Sequence, residues 1–408
     1  MSLATLAEAQ RIALAAARPT TIVELPLAAA AHCVLARDLV ALRDLPGADV
    51  SIMDGYAVQC DALRGGGIVE LAIAGESAAG RPWTGTLARG QALRISTGAV
   101  LPAGADMVVA QEDTTRRGDV VAIDSAKVTE IRAGRWVRAQ GSDVTRGSAI
   151  AEAGLRLGPA ELALLGACGH AIAPVHRRPR VAILSTGDEL VRIGEPAALG
   201  QVIATSGLML TVACNDAGAD VVSESLVIDD ADRLHDALVH AHADLVLTTG
   251  GASVGDHDLV RAGLARLGGR ELVWGIAMRP GKPTGIVALA DTLVVALPGN
   301  PAASFVGFEL IVRPMLRRMA GVRGEPCPAL RTAIAGAAIP GERGREPWVR
   351  ARIDHDRVLP LVDQLSGNLR SIADATVLVR VPAGITEIAA GEPCELLVLD
   401  HRAHERPA

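Results

Sequence analysis

The sequence predicts a multidomain α/β plus β protein. A three-layer α/β/α unit is flanked by mostly-β N-terminal modules and a C-terminal β-barrel-like domain. Three observations predict it. Apolar strand-like runs alternate with helical stretches from Pro179 to residue 319, the texture of a sheet covered on both faces. Short β-like runs broken by Gly, Pro and Asp fill Leu25 to Val175 and resume after Gly324-Glu-Pro-Cys-Pro328. At 408 residues, the chain is too long for one ordinary core and suggests roughly two to four domains.

The elements follow in order. Thr5-Leu-Ala-Glu8 reads as a capping box opening an Ala-rich helix to about residue 17. Asp119-Val-Val-Ala-Ile123 typifies the short strands that follow. Val181–Leu184 is a buried strand, 206–217 a helix, Asp220–Val227 a strand, 230–242 a helix, 244–249 a strand and 257–267 a helix. Strands near 271–277 and 284–296 and a long helix over 301–319 close the unit. Such alternation predicts a parallel sheet, with ligands beyond the carboxyl ends of its strands. The loops after Leu184 and Thr249 lie at that edge and are expected to converge on one cleft.

Composition excludes several classes. Apolar residues reach 50% but aromatics only 2%, so the cores are packed from Ala, Val, Leu and Ile. A net charge of −6 without a basic tract argues against a nucleic-acid binder. Six cysteines are scattered without a C-x-x-C pair, which fits reduced cytoplasm rather than a disulfide framework or zinc knuckle. Neither a signal peptide nor an apolar run of about 18 residues is visible, so a cytoplasmic protein is expected.

Three constellations carry chemistry. Leu184-Ser-Thr-Gly-Asp-Glu-Leu190 offers Ser185 and Thr186 hydroxyls at a turn made by Gly187, with Asp188 and Glu189 beside them. As plain architecture it would be a strand-to-helix turn in which Asp188 caps the helix. Thr248 to Asp258 is almost wholly Gly, Ser, Thr and Asp. Its bare amides and the hydroxyls of Thr249 and Ser253 suit phosphate, its glycines Gly250, Gly251 and Gly255 let a ligand approach, and Asp256 and Asp258 suit a divalent cation. Met278-Arg-Pro-Gly-Lys-Pro-Thr284 holds Arg279 and Lys282 on a stiff scaffold suited to an oxyanion, and Leu297-Pro-Gly-Asn-Pro301 leads into the closing helix, whose amino end favours negative charge.

These motifs, in this order, resemble the MoeA family of molybdopterin molybdenumtransferases, related to the gephyrin E domain. The resemblance extends to Ser51-Ile-Met-Asp-Gly-Tyr-Ala-Val58, Arg94-Ile-Ser-Thr-Gly-Ala99, Pro102-Ala-Gly-Ala-Asp106 and Gly141-Ser-Asp143, and so covers nearly the whole chain. It implies insertion of molybdenum from molybdate into adenylylated molybdopterin with release of AMP, Mg²⁺ as cofactor, and a homodimer with the active cleft between subunits. A MogA-type adenylyltransferase and molybdoenzymes are implied partners. The implied division is an extended domain over 1–46 and 147–175, a β-rich domain over 47–146, a MogA-like α/β/α domain over 176–325, and a barrel-like domain over 326–408.

The resemblance also implies site roles. Asp54, Thr97 and Asp143 would line the cleft from the N-terminal module. Glu189, Asp229 and Asp258 would be metal and nucleotide ligands. Ser185, Thr186, Gly187, Asp188, Thr249, Gly250, Gly251, Ser253, Gly255, Pro298, Asn300 and Pro301 would line the substrate site. Arg279, Lys282, Arg350 and Ser371 would hold the pterin phosphate or the molybdate, although by residue type alone Arg350 reads equally as an exposed strand residue.

The chain departs from the family where Asp-Ser-Asn or Asp-Thr-Asn usually opens the helix after the first loop. Ala204, Thr205 and Ser206 stand there, with Ser206 expected to cap the helix. Gly275 stands where a Lys is often seen, and Arg279 replaces a Lys. The lost ligands raise an alternative, a molybdopterin or cofactor binding and delivery protein with weak or no turnover. An adenylyltransferase is a third reading, opposed by the long N-terminal module.

Overall fold

In the computed structural model, residues 3–251 and 259–399 are described. The first helix, Leu6–Ala16, begins with the expected capping box: the Glu8 amide donates to Thr5 Oγ1, and the Thr5 amide donates to the Glu8 carboxylate. Its buried face, Leu6, Ala9 and Ala13, packs into the α/β core rather than the adjacent β module.

The N-terminal half holds a three-stranded sheet of Ile22–Pro26, Val34–Leu35 and Ile172–His176, and a six-stranded sheet over 55–124. Segments far apart in sequence thus close one unit around the six-stranded sheet. In that sheet Gly55 lies so close to its neighbour that a Cβ would sit 1.9 Å from the Val109 carbonyl oxygen, which admits only glycine.

The central sheet runs Asp220–Val227, Arg180–Thr186, Leu245–Thr249, Thr292–Leu297, Gly285–Leu289, Arg270–Trp274. The first four strands are parallel, but Gly285–Leu289 runs antiparallel to both its neighbours. The expected all-parallel sheet is therefore mixed. The run at 284–296 is a hairpin, turned at Ala290, whose φ is 50°, and Asp291. Two equally apolar strands in tandem have no periodicity that separates them.

Leu210, Phe305 and Leu316 cover one face of this sheet, and Leu234, Leu238, Val260 and Leu264 cover the other. The closing helix is continuous from Pro301 to Met319 but passes through a π turn at Phe308–Val312. The Gln10 amide donates to the Leu310 carbonyl in that turn at 2.9 Å.

Strands Arg331–Ala335, Glu346–Asp354, Arg357–Pro360, Val377–Arg380 and Pro393–Val398 close into a five-stranded barrel. Trp348, Leu378 and Leu397 leave its outer face to join the α/β core. The short strand Met278–Arg279 pairs with Glu346–Pro347. Barrel and α/β unit therefore share apolar burial and a backbone ladder, which fixes Arg279 beside the barrel.

Candidate functional site

A cleft of about 560 Å³ opens at the carboxyl edge of the central sheet. The strand ends Arg180–Thr186 and Leu245–Thr249 lie side by side, in register from Val181/Leu245 to Ser185/Thr249. The expected convergence of the two loops is close: a Cβ on Gly250 would lie 2.0 Å from the Thr186 carbonyl oxygen, and one on Gly251 2.8 Å from Thr186 Oγ1. Gly250 has a φ of 92° and Gly251 one of 62°, so both glycines serve conformation and approach together.

Ser185, Thr186, Glu189, Thr249, Gly250, Gly251, Asn300 and Pro301 all line this cleft. Thr186 Oγ1 is buried without a partner among the described residues, a hydroxyl left for a ligand. Thr249 Oγ1 donates to the Pro298 carbonyl at 3.2 Å. Ser304 completes this knot by donating to the same carbonyl. Sequence reading missed Ser304, because a serine one turn into an apolar helix carries no distinguishing signal. Ser253, Gly255, Asp256 and Asp258 lie outside the described residues.

Of the expected acidic residues, Glu189 lines the cleft, while Asp188 and Asp229 pair with each other beside it, outside its lining. No helix follows Asp188; a short strand, Leu190–Val191, does. Asp188 instead accepts the Asp229 amide at 3.0 Å. Burial, and then the charges of Asp188 and Glu189, raise the Asp229 carboxyl above its usual range. All three carboxylates are exposed, and no group of three acidic, His or Cys side chains among the described residues is arranged to hold a metal ion. Gly187 reaches its φ of 152° with the Glu189 carboxylate packed against it.

The helix Thr205–Asp216 has Ala204 at its N-cap with no side-chain cap bond. Ser206, expected to cap it, lies inside the first turn and is buried. Two residues of phase decide this: Ala204 is the N-cap, and the chain enters the helix before the Ser206 hydroxyl can face its amides.

The expected cations Arg279, Lys282 and Arg350, and Ser371, do not line this cleft; they lie where the α/β unit meets the barrel. Arg350 is fully buried, so its reading as an exposed strand residue does not hold. Its Nη2 donates to the Leu365 carbonyl at 3.1 Å, while Nε and Nη1 have no partner among the described residues. Burial and the neighbouring Arg279 depress its pKa, against the pull of Asp363. Such a guanidinium is costly unless an anion joins it. Ser371 is buried at the start of the helix Leu369–Asp374 and donates its hydroxyl to the Asn368 carbonyl at 2.7 Å.

Arg279 Nη1 donates to Glu342 Oε2 at 3.0 Å. Glu342, also bonded to Arg345, was not anticipated; a charge flanked by Gly341 and Gly344 was the available hint. Burial would raise the Glu342 carboxyl, but bonds to Arg279 and Arg345 outweigh it and lower it. Lys282 is half-buried and is one of only two lysines among 40 basic residues, a point charge in a chain that otherwise uses arginine. The 361–369 segment lies between Arg350 and the cleft: the Leu365 carbonyl accepts from Arg350, and Gly367 and Leu369 line the cleft.

Asp54, Thr97 and Asp143 are exposed in the N-terminal half, and none lines the cleft of its own chain. Asp54 accepts the Thr97 amide at 2.7 Å and the Thr97 hydroxyl at 2.9 Å. These bonds lower its carboxyl below the usual range. Asp143 is paired with Arg138.

Comparisons with known proteins agree with this architecture. Residues 4–169 match the model of the MoeA N-terminal region (domain I and II), 182–318 that of the "Probable molybdopterin binding domain", and 332–399 that of the MoeA C-terminal region (domain IV). The chain is 37% identical over 388 residues to molybdopterin molybdenumtransferase 2 of Mycobacterium tuberculosis, covering 92% of this chain and 94% of that protein. It is 34% identical over 385 residues to a molybdopterin molybdenumtransferase of Nostoc, covering 90% and 86%. A solved molybdopterin biosynthesis MoeA protein from Pyrococcus horikoshii superposes with a TM-score of 0.83 at 30% identity, covering 97% of this chain and 99% of that one.

Proposed function

This chain belongs to the MoeA family, and from that premise we propose that it is a molybdopterin molybdenumtransferase, inserting molybdenum from molybdate into adenylylated molybdopterin with release of AMP. The observation that carries this reading is the buried, two-thirds-unpartnered guanidinium of Arg350 beside Arg279, set across the 361–369 loop from a glycine-lined cleft.

The residue chemistry supports it. Molybdate is a dianion, and the adenylylated pterin carries further phosphate charge, so fixed cations are needed to bring them together. Arg279, Lys282 and Arg350 supply these, with Ser371 beside them. Ser185, Thr186, Thr249 and the bare backbone at Gly250 and Gly251 suit the phosphates. No group of three His, Cys, Asp or Glu among the described residues is arranged to hold a metal ion, so a Mg²⁺ site would need Asp258 beside Glu189 and Asp229, the set the family motif implies. When bound there, Mg²⁺ would neutralise phosphate charge as the anhydride is cleaved.

Asp54, Thr97 and Asp143 fit the same reaction if a second subunit presents them to this cleft, and we propose a homodimer on that basis. Acting in the cytoplasm with a MogA-type adenylyltransferase upstream is consistent with six free cysteines and with no described helix long and apolar enough to cross a membrane.

The test is direct. Purified protein is supplied with adenylylated molybdopterin, Mg²⁺ and molybdate, and AMP is measured. Molybdate-dependent AMP is expected. Tight binding without AMP would replace this reading with a binding and delivery role, which the bare Ala204 cap favours, and ATP-dependent adenylylation of molybdopterin would replace it with an adenylyltransferase.

A further inference from the structure

A second cavity, about 540 Å³, lies at the junction of the N-terminal module, the closing helix of the α/β unit and the barrel end at Leu397 and Val398. None of its lining residues lines the first cleft. Arg156, Arg178, Arg313 and Arg317 line it, opposed by Asp216 and Glu309, with His32 and His176 at its wall. Asp220 adds a further carboxylate 3.6 Å from Arg178. Four guanidinium groups against three carboxylates leave the cavity cationic with both histidines neutral.

The charges are not evenly matched. Glu309, buried in the π turn, clamps Arg313 with bonds of 2.7 Å to Nε and 2.8 Å to Nη2. Arg178 donates to the Ala31 carbonyl at 3.0 Å as well as facing Asp220. Arg156 and Arg317 have no bonded partner for their side chains among the described residues, and Asp216 has none either. Arg156 projects beside Gly218 and His32, a residue held in the left-handed region at a φ of 63°. Non-glycine residues stay in that region only where their surroundings over-determine them.

We propose that this junction is a second anion site, built to take a compact phosphate-bearing small molecule. Two free guanidinium forks, with a third held in place by Glu309, match the planar, multidentate recognition of phosphate oxygens. The volume suits an ion of pyrophosphate size with room for a small organic group. An occupant would touch residues of three domains at once and so would stabilise their arrangement by mass action.

Inorganic pyrophosphate is the probe, titrated calorimetrically into the full chain at low ionic strength. The Arg156→Ala/Arg317→Ala double variant is expected to lose at least ~10-fold in pyrophosphate affinity, with AMP release within about twofold of the parent. The Arg156→Lys/Arg317→Lys variant, which keeps the charge, is expected to retain part of that affinity, and this separates loss of the site from loss of the fold. Arg350→Met, altered only at the barrel, is expected to keep the junction affinity. Unchanged binding in the alanine double variant overturns the proposal, as does loss of binding in Arg350→Met alone. So does a drop in sedimenting mass of the double variant without an effect on pyrophosphate, which would mean that the cavity receives a carboxylate of a second copy.

Discussion

The acidic group beside the cleft and the cationic group at the barrel are built on opposite electrostatic plans. In the acidic group, Asp188, Glu189 and Asp229 crowd negative charge at strand ends, and one carboxyl responds by shifting upward. In the cationic group, Arg350 is fully buried with two nitrogens unpartnered among the described residues, and its pKa shifts downward. Each group is unfavourable alone, and the ligand that relieves one differs from the ligand that relieves the other. A cation satisfies the first and an oxyanion the second. Keeping the two charges apart lets ligands of opposite sign be held without neutralising each other's sites.

The largest effect is expected from Arg350→Met. Removing a buried, unmatched charge while keeping the volume should leave stability unchanged or improved. Molybdate-dependent AMP release should fall by ~100-fold or more, about 2.7 kcal/mol of transition-state stabilisation. Thermal unfolding alongside single-turnover kinetics checks both halves; a large loss of stability would show that the guanidinium is structural.

Gly250→Ala attacks the seam at which the loops meet. Its Cβ would have to occupy space 2.0 Å from the Thr186 oxygen at a φ of 92°. A cost on the order of 1–3 kcal/mol is expected from backbone strain, with the clash adding to it. Urea midpoints measure it, and a change within a few tenths of a kcal/mol would mean that the seam opens freely.

Asp229→Asn tests the acidic group alone. The folded pKa of Asp229 is raised above the unfolded value, so its contribution to stability is present below the ordinary carboxylate pKa of about 3.9 and is lost as pH rises through the folded value. The Asn variant should therefore gain stability over the parent at neutral pH and not in acid. Apparent Mg²⁺ affinity should weaken by roughly 10-fold, while the KM for molybdate should stay put. A shift in the molybdate KM instead would erase the distinction between the two groups.

The smallest effect is expected from Ala204→Asp. Supplying a cap that the helix Thr205–Asp216 lacks should add about 1 kcal/mol of stability. Combined with Ser206→Asn, it should also tighten binding of the adenylylated ligand severalfold. Unchanged affinity would show that the departure at 204–206 is neutral for function.

Much of the α/β unit was legible in advance because its strands are short apolar runs bounded by Gly and Asp. The strand at Asp220–Val227 and the capping box at Thr5 and Glu8 depend only on local spacing. The misreadings share one cause. The hairpin at Gly285–Leu297, the cap at Ala204 and the short strand after Asp188 turn on where one or two residues direct the chain, and periodicity is blind to that. Arg350 was harder still. Its residue type argues for exposure, and only its packing beneath the 361–369 loop removes it from water.

The sequence by itself determined the family, the order of the elements and the loops at which phosphate chemistry would sit, since these rest on glycine, carboxylate and cation spacing along the chain. Tertiary structure alone decided that the acidic and cationic groups lie apart, that Arg350 is buried with two nitrogens unpartnered among the described residues, and that a cationic cavity joins three domains. Burial and the pairing of charges are sums over neighbours hundreds of residues apart, and only the packed chain brings those neighbours together.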